Sequence, residues 1–316
     1  MSILSVGMAF CDIPLRPCPA NIMDLDNAMI DRVELHTGGD ALTVAVVLAK
    51  MGEPVALAAK VGDDANGAFV RSELSRNGVN QDLMMIEKEV STATSYQLIE
   101  ANGQRHFLVD SRINSLLKSA DISDQAIAAH DLVFFGSALA LEGMDDTELS
   151  DLFRRAHKCG KITAMDASVA VKDNAVCKMD LLRETLQHTD IFIPSYEEAS
   201  YLAQKTEVKD IMEAFRRFPL MVFGIKLGAE GCVLTSDFEQ YIKLPPCKGM
   251  PVVDTTGAGD CFMGGFLCAY LKGWPLERCG RFGSAVSAFG ISAIGASTAI
   301  PDFDSVLRFM KENEKA

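Results

Sequence analysis

Val252-Val253-Asp254-Thr255-Thr256-Gly257-Ala258-Gly259-Asp260-Cys261-Phe262 joins an apolar lead-in to a glycine-rich turn and then to a helix. After the turn, Phe262, Phe266, Ala269 and Tyr270 recur at helical spacing. Thr256 is the expected N-cap. Gly257, Ala258 and Gly259 have almost no side chain, so a ligand can approach their N–H groups at the positive end of the helix. That is an anion site, suited to the oxygens of a phosphoryl group in transfer. Asp260 lies in the same first turn, where a carboxylate can take the proton of an attacking hydroxyl. The local residues leave a second reading open, a glycine-rich helix start with a dipole-favoured Asp and no ligand.

Outward from this segment, short apolar runs alternate with helical patterns. Ile3–Val6, Val55–Lys60, Leu132–Phe135, Ile162–Met165, Ile191–Ile193 and Met221–Lys226 read as buried strands. Between and after them, Asp40–Met51, Ala65–Asn77, the face Leu149, Leu152, Phe153 and Ala156, and the face Phe303, Val306, Leu307 and Met310 read as helices. This alternation predicts an α/β fold, a doubly wound and mostly parallel sheet with helices on both faces. One region breaks the rhythm. Ala93–Ile99, the turn Ala101-Asn102-Gly103 and Gln104–Val109 read as an antiparallel hairpin, with Asn27–Leu35 a further strand beside it. Cys11–Ala20, rich in Pro and Cys, reads as irregular. The expectation is a single domain over residues 1–316 with a small β-sheet lid from about 12–36 and 90–112.

A net charge of −13 argues against nucleic acid and anionic membrane surfaces as partners, since both call for clustered Lys and Arg. It leaves a nucleotide ligand open, because backbone amides and a bound cation neutralise phosphates locally. Nine cysteines without a C-x-x-C pair suggest no zinc site, and with no basic n-region at the N-terminus they point to a cytoplasmic protein. No G-x-G-x-x-G follows the first strand and no G-x-x-x-x-G-K-[ST] occurs, which disfavours a nicotinamide dehydrogenase and a P-loop kinase.

Asp254-Thr255-x-Gly257-Ala258-Gly259-Asp260-x-Phe262 resembles the second signature of the ribokinase/PfkB family of carbohydrate kinases. Gly38-Gly39-Asp40-Ala41, with Ala45, Gly52 and Val61–Gly67, resembles the first signature. Lys226-Leu227-Gly228-Ala229-Glu230-Gly231 resembles the nucleotide-binding turn, and Pro194-Ser195-Tyr196-Glu197-Glu198-Ala199 the N-x-x-E magnesium motif. The resemblance implies a ribokinase-like fold and ATP-dependent phosphorylation of a sugar hydroxyl. Asp260 is then the base and the Gly257-Ala258-Gly259 amides the anion hole. It implies ATP and Mg²⁺ as cofactors, with Glu198 orienting Mg²⁺ through water. A monovalent cation such as K⁺ would be held by Asp254, Thr256 and the carbonyls of Gly290, Ala293, Gly295 and Ala299. Ser195, Lys226, Leu227, Gly228, Gly231 and Ser284 would line the nucleotide. Asp12, Gly38, Gly39, Asp40 and Thr43 would meet the substrate.

Four positions depart from the family's usual Asn: Thr43, Ser168, Ser195 and Ser284. Each keeps a hydroxyl and loses an amide's paired donor and acceptor, which bears on substrate and nucleotide affinity more than on the reaction. Without the resemblance, Asp40 reads as a helix N-cap, Asp12 as a loop cap at the end of the first strand, and Glu197-Glu198 as acidic residues at a helix start. Arg105, His106 and Arg112 flank the lid hairpin; they suit an anionic group on the substrate or a solvated face. His130, His157 and His188 read as surface residues. The expected acceptor is a ketose- or aldose-like sugar. The alternatives are a 2-keto-3-deoxy sugar acid that Arg112 would bind, a nucleoside, and a catalytically silent family member acting as a binding or regulatory protein. A homodimer through the lid is a further expectation.

Overall fold

Successive residues of the apolar runs bury against opposite layers. Ile3, Phe134 and Ile191 enter one core, while their neighbours Leu4, Phe135 and Phe192 enter the other. Strands buried on both faces need no polar alternation, which is why these runs are continuously apolar.

The computed structural model describes residues 1–168 and 178–314. Its strands begin with β1 (Ile3–Val6), β2 (Phe10–Arg16), β3 (Arg32–Val33), β4 (His36–Gly38), β5 (Val55–Gly62), β6 (Met84–Glu87), β7 (Thr94–Ile99) and β8 (Arg105–Asp110). They continue with β9 (Leu132–Ala138), β10 (Ile162–Ala167), β11 (Ile191–Phe192), β12 (Val222–Lys226), β13 (Cys232–Thr235) and β14 (Ile242–Leu244). The helices are α1 (Asp40–Lys50), α2 (Ala65–Arg76), α3 (Asp124–Ala128), α4 (Asp146–Lys158), α5 (Arg183–Leu186), α6 (Tyr196–Ala203), α7 (Val208–Phe215), α8 (Ala258–Leu271), α9 (Leu276–Gly290) and α10 (Phe303–Asn313).

The main sheet has the order β14-β13-β12-β11-β10-β9-β1-β5-β6. Seven strands from β6 to β12 along this order are parallel; β13 and β14 close one edge antiparallel. Helices α1, α2, α8, α9 and α10 pack on one face, and α3 to α7 on the other. From β1 the chain winds first to β5 and later to β9, so the strand order reverses between β1 and β9. Ligands of doubly wound sheets bind beyond the carboxyl ends of the strands at such a point.

The smaller sheet runs β3-β2-β7-β8, with β4 also paired to β2. The expected hairpin is β7–β8, in register from Thr94↔Asp110 to Ile99↔Arg105. Two expectations are corrected. The stretch read as irregular contains β2, which pairs in parallel with β7 from Cys11↔Thr94 to Leu15↔Leu98. The strand expected over Asn27–Leu35 is only Arg32–Val33, and it pairs with β2 rather than with the hairpin. Pro14 had disguised β2. On the side of β2 away from β7, β4 pairs up to Asp12 and β3 begins at Leu15, so Pro14 lies in the gap between them. A missing N–H costs little where no ladder partner is due.

Candidate active site

The turn before α8 is shaped by close approach. Gly257 has φ +73°, and a Cβ there would lie 2.3 Å from Ala296 Cβ. A Cβ on Gly259 would lie 2.9 Å from Lys226 Nζ. Glycine is therefore required at Gly257 by backbone hand and close approach, while at Gly259 a side chain would crowd the Lys226 ammonium. The expected cap is corrected here: Gly257, not Thr256, is the N-cap residue, and no side chain caps the helix. Thr256 donates its N–H to Asp254 Oδ1 (2.9 Å). The segment is tied down by Val253 and Asp254, whose N–H groups both donate to Ile291 O (2.8 and 3.1 Å). Ala258 N–H bonds back to Thr255 O (3.2 Å), and the glycine turn lines a cavity.

That cavity has a volume of about 890 Å³. Asp260 lines it together with Gly257, Ala258, Gly259, Asp40, Asp166, Ser168, Ser195, Glu198, Lys226, Leu227 and Gly228. Each arrives by a different element. Asp40 is the first residue of α1, one place inside the N-cap Gly39, and accepts from the Ser137 hydroxyl at the end of β9. Asp166 ends β10 and Lys226 ends β12; the two form an ion pair. Glu198 belongs to a capping box on α6: its carboxylate accepts from Ser195 N (2.7 Å), and its N–H donates to Ser195 Oγ (3.3 Å). The local reading of Glu198 as a helix-start residue and its place in the cavity are thus both realised.

Four carboxyls share one ammonium here. Burial, then the nearby Asp40 and Asp166, pushes Asp260 well above the usual carboxylate range, against the pull of Lys226. Burial lifts Asp40 to about 6 despite its bond from Ser137. Burial and Asp166 lift Glu198 to about 7. Asp166 is raised by burial even beside Lys226. Burial alone would lower Lys226, but Asp166, Glu198 and Asp260 hold it protonated. The cavity is short of positive charge. Among the described residues no three His, Cys, Asp or Glu side chains converge on one metal position. Carboxylates spread round this cavity fit a Mg²⁺ that keeps waters and takes its remaining ligands from a nucleotide.

Asp12 is corrected in place: it lies on β2 of the small sheet, not in a loop after β1. A Cβ on Gly38 would be 2.2 Å from Asp12 Oδ2, and one on Gly39 would be 2.6 Å from Met8 O. The Gly38-Gly39 pair thus lets this carboxylate and the β1–β2 backbone close over the start of α1. Burial, then Asp254, raises Asp12 to about 7, with Gln97 opposing. Asp12, His36, Gln97, Asp254, Thr256 and Gly295 line a smaller cleft.

Other expected site residues lie outside the main cavity. Thr43 is buried inside α1 and Ser284 inside α9, where it faces Cys232; neither lines the main cavity. Gly231 has φ +88° and packs on Leu244 O, so its role is in the β12–β13 turn. Gly290 ends α9 against Cys261; Ala293 and Gly295 follow in an irregular turn. Arg112 is 76% exposed and forms a two-pronged pair with Asp110 (2.9 and 2.7 Å), outside both cavities. Arg105 reaches across to Asp254 Oδ1 (2.6 Å) and Thr256 Oγ1 (2.9 Å). Neither that contact nor the Asp166–Lys226 pair was signalled in the sequence, since the partners lie 149 and 60 residues apart.

A glycine-lined helix start, a half-buried carboxyl in its first turn and a doubly wound sheet with a side sheet define a phosphoryl-transferring α/β enzyme. Residues 2–302 match the pfkB family carbohydrate kinase profile, and the chain belongs to that family. It is 30% identical to an uncharacterized sugar kinase of Archaeoglobus fulgidus, over 80% of this chain and 98% of that one. It is 28% identical to a nucleoside kinase of Methanothermobacter thermautotrophicus, over 89% and 86%. The fold is that of the fructokinase of Xylella fastidiosa solved with bound ATP: TM-score 0.83, 22% identity, 99% of each chain. Among the described residues no helix is long and apolar enough to cross a membrane.

Proposed function

We propose that this chain transfers the γ-phosphoryl group of ATP to a hydroxyl of a small neutral sugar. The observation that carries this reading is the half-buried Asp260 carboxyl, in the first turn of α8 near the Lys226 ammonium and the glycine turn, at the wall of a cavity of about 890 Å³. Asp260 accepts the acceptor's hydroxyl proton as the new O–P bond forms. The γ-phosphorus–oxygen bond of ATP breaks, and ADP leaves with the bonding pair. The transition state is loose, so most of the work is positioning and charge neutralisation. The Gly257–Gly259 amides and the Lys226 ammonium face the charge that moves. Mg²⁺ bound with the nucleotide would supply further charge neutralisation. Ser195, Glu198, Lys226, Leu227 and Gly228 form the nucleotide wall, and the acceptor lies between the Gly38-Gly39-Asp40 start of α1 and Asp12.

Two carboxyls at the acceptor end favour hydroxyl donors over an anionic group. Arg112, turned onto Asp110, gives a sugar acid no partner in this arrangement. A silent family member would have no need of the buried charge cluster around Asp260. The outer lid, with Tyr96, Phe107, Leu108 and Val109 exposed, suits pairing with a second copy of the chain.

A screen of ATP consumption over sugars, sugar acids and nucleosides tests the proposal, with a neutral sugar expected as the best acceptor. Arg112→Ala should then act alike on neutral and acid acceptors. A strong sugar-acid activity that this variant weakens selectively, by about 1.5–3 kcal/mol, would overturn the neutral-sugar reading.

A further inference from the structure

Asp254 is buried, and its charge is already answered from within the chain. The Arg105 guanidinium donates to Asp254 Oδ1 at 2.6 Å and to Thr256 Oγ1 at 2.9 Å. Thr256 N takes the same carboxylate oxygen at 2.9 Å. Burial alone would push Asp254 up, but these donors hold it below the usual carboxylate range. Arg105 opens β8 at the tip of the lid hairpin, so it comes from a different sheet and 149 residues away.

Three carbonyls of the turn after α9, those of Gly295, Ala296 and Ser297, are engaged within the chain as well. Lys50 Nζ donates to Ser297 O (2.8 Å), and the Cys261 thiol to Ala296 O (3.0 Å). Gly295 O accepts from Thr298 N (3.1 Å). Of the donors that the family resemblance would give to a monovalent cation, Asp254, Thr256 and the Gly295 carbonyl are therefore already engaged within the chain. At Asp254 and Thr256 a cation would have to displace a guanidinium, and next to them a lysine ammonium already serves the backbone.

We propose that Arg105 is a built-in cation. With the lid closed, its guanidinium does at Asp254 what a bound monovalent cation would otherwise do, so the protein needs no such ion. A consequence is mechanical. Arg105 on the lid hairpin braces Asp254 and Thr256 at the entrance to the Thr256–Gly259 turn, which links the lid to the anion site. Arg105 is in this account a positioning residue; it acts on the phosphate turn through Asp254 and Thr256. The proposal rests on the kinase reading for its effect on rate, but not for its effect on ion binding.

The experiment compares the full chain and Arg105→Ala in potassium and choline chloride at equal ionic strength. The readouts are thermal melting without substrate and steady-state turnover on the best acceptor. The native chain should melt at the same temperature and turn over at the same rate in both salts. Arg105→Ala should lose about 10- to 100-fold in turnover in choline, as expected when a reacting site is misplaced by about an ångström. Potassium should restore part of that loss and raise the variant's melting temperature, because an ion that binds only the folded state stabilises it. If Arg105→Ala does not fold, Arg105→Gln replaces it with the same expectations. A native chain that potassium activates and stabilises overturns the proposal, as does a variant whose melting ignores potassium. If no acceptor is phosphorylated, the melting comparison still decides about Arg105 while the kinase reading fails separately.

Discussion

Asp12 is the residue at which the cost of the site is most easily measured. Its carboxyl rises from 3.8 to about 7, first through burial and then through Asp254. The folded chain therefore holds a proton that the unfolded chain has lost, and stability falls as pH rises from about 4 to about 7. The whole shift corresponds to about 4 kcal/mol, and the carboxyl's remaining contact with solvent reduces this to ~2 kcal/mol. Asp12→Asn should raise the melting temperature of the ligand-free protein at pH 8 and leave it unchanged near pH 4. The same variant should raise KM for the acceptor more than for ATP. A melting offset that is equal at both pH values would detach Asp12 from this argument. At this scale the sequence was readable where chemistry is local. Gly257, Ala258, Gly259 and Asp260 stand in one turn, and their type and spacing announce a phosphate site. It was unreadable where the chemistry is long-range. Nothing near Asp166 or Lys226 says that the two meet, and Arg105 reads equally well as a solvated charge until the lid is in place. Thr256 has the composition of a cap, but the positive φ needed to enter α8 falls to Gly257.

At the level of elements, α8 is what the site is built on, and its two further glycines explain how it sits. A Cβ on Gly264 would be 2.6 Å from Val47 Cγ1 of α1, and one on Gly265 would be 2.7 Å from Val286 Cγ2 of α9. The three helices approach closely, and this fixes Asp260 relative to Asp40 at the start of α1. Gly264→Ala should destabilise the protein by about 1–3 kcal/mol through overpacking, visible as a lower denaturant midpoint. An unchanged midpoint would mean that α1 and α8 have slack. The main-sheet strands β1, β5 and β9 to β12 and the helices α1, α2, α4, α8 and α10 were legible, because doubly buried strands and one-sided helices carry different hydrophobic periods, whereas the edge strands β6 and β14 and the helix α9 were not read. The small sheet was legible only at its hairpin. β2 carries Pro14 and half-buried polar residues, and β3 is two residues long; neither gives a local pattern to recognise.

Across the whole molecule, the charge of −13 and seven acidic side chains around one cavity would repel a bare nucleotide. Chelating divalent ions should therefore abolish turnover and weaken ATP binding, as read by calorimetry with and without EDTA. Equal ATP affinity in both conditions would contradict the proposed role of Mg²⁺. The raised carboxyls also set the pH response. Asp260 works as a base only when it has lost its proton, so kcat/KM should climb as pH rises above the ordinary carboxylate range. A rate that falls over this range would exclude Asp260 as the base. The measurement that bears most directly on the central claim is Asp260→Asn on the best acceptor, with rate and ATP affinity determined on the same preparation. The account predicts that kcat falls by roughly 10²–10⁴-fold while ATP still binds, since the amides and Lys226 remain. Turnover at the native rate in Asp260→Asn would contradict it.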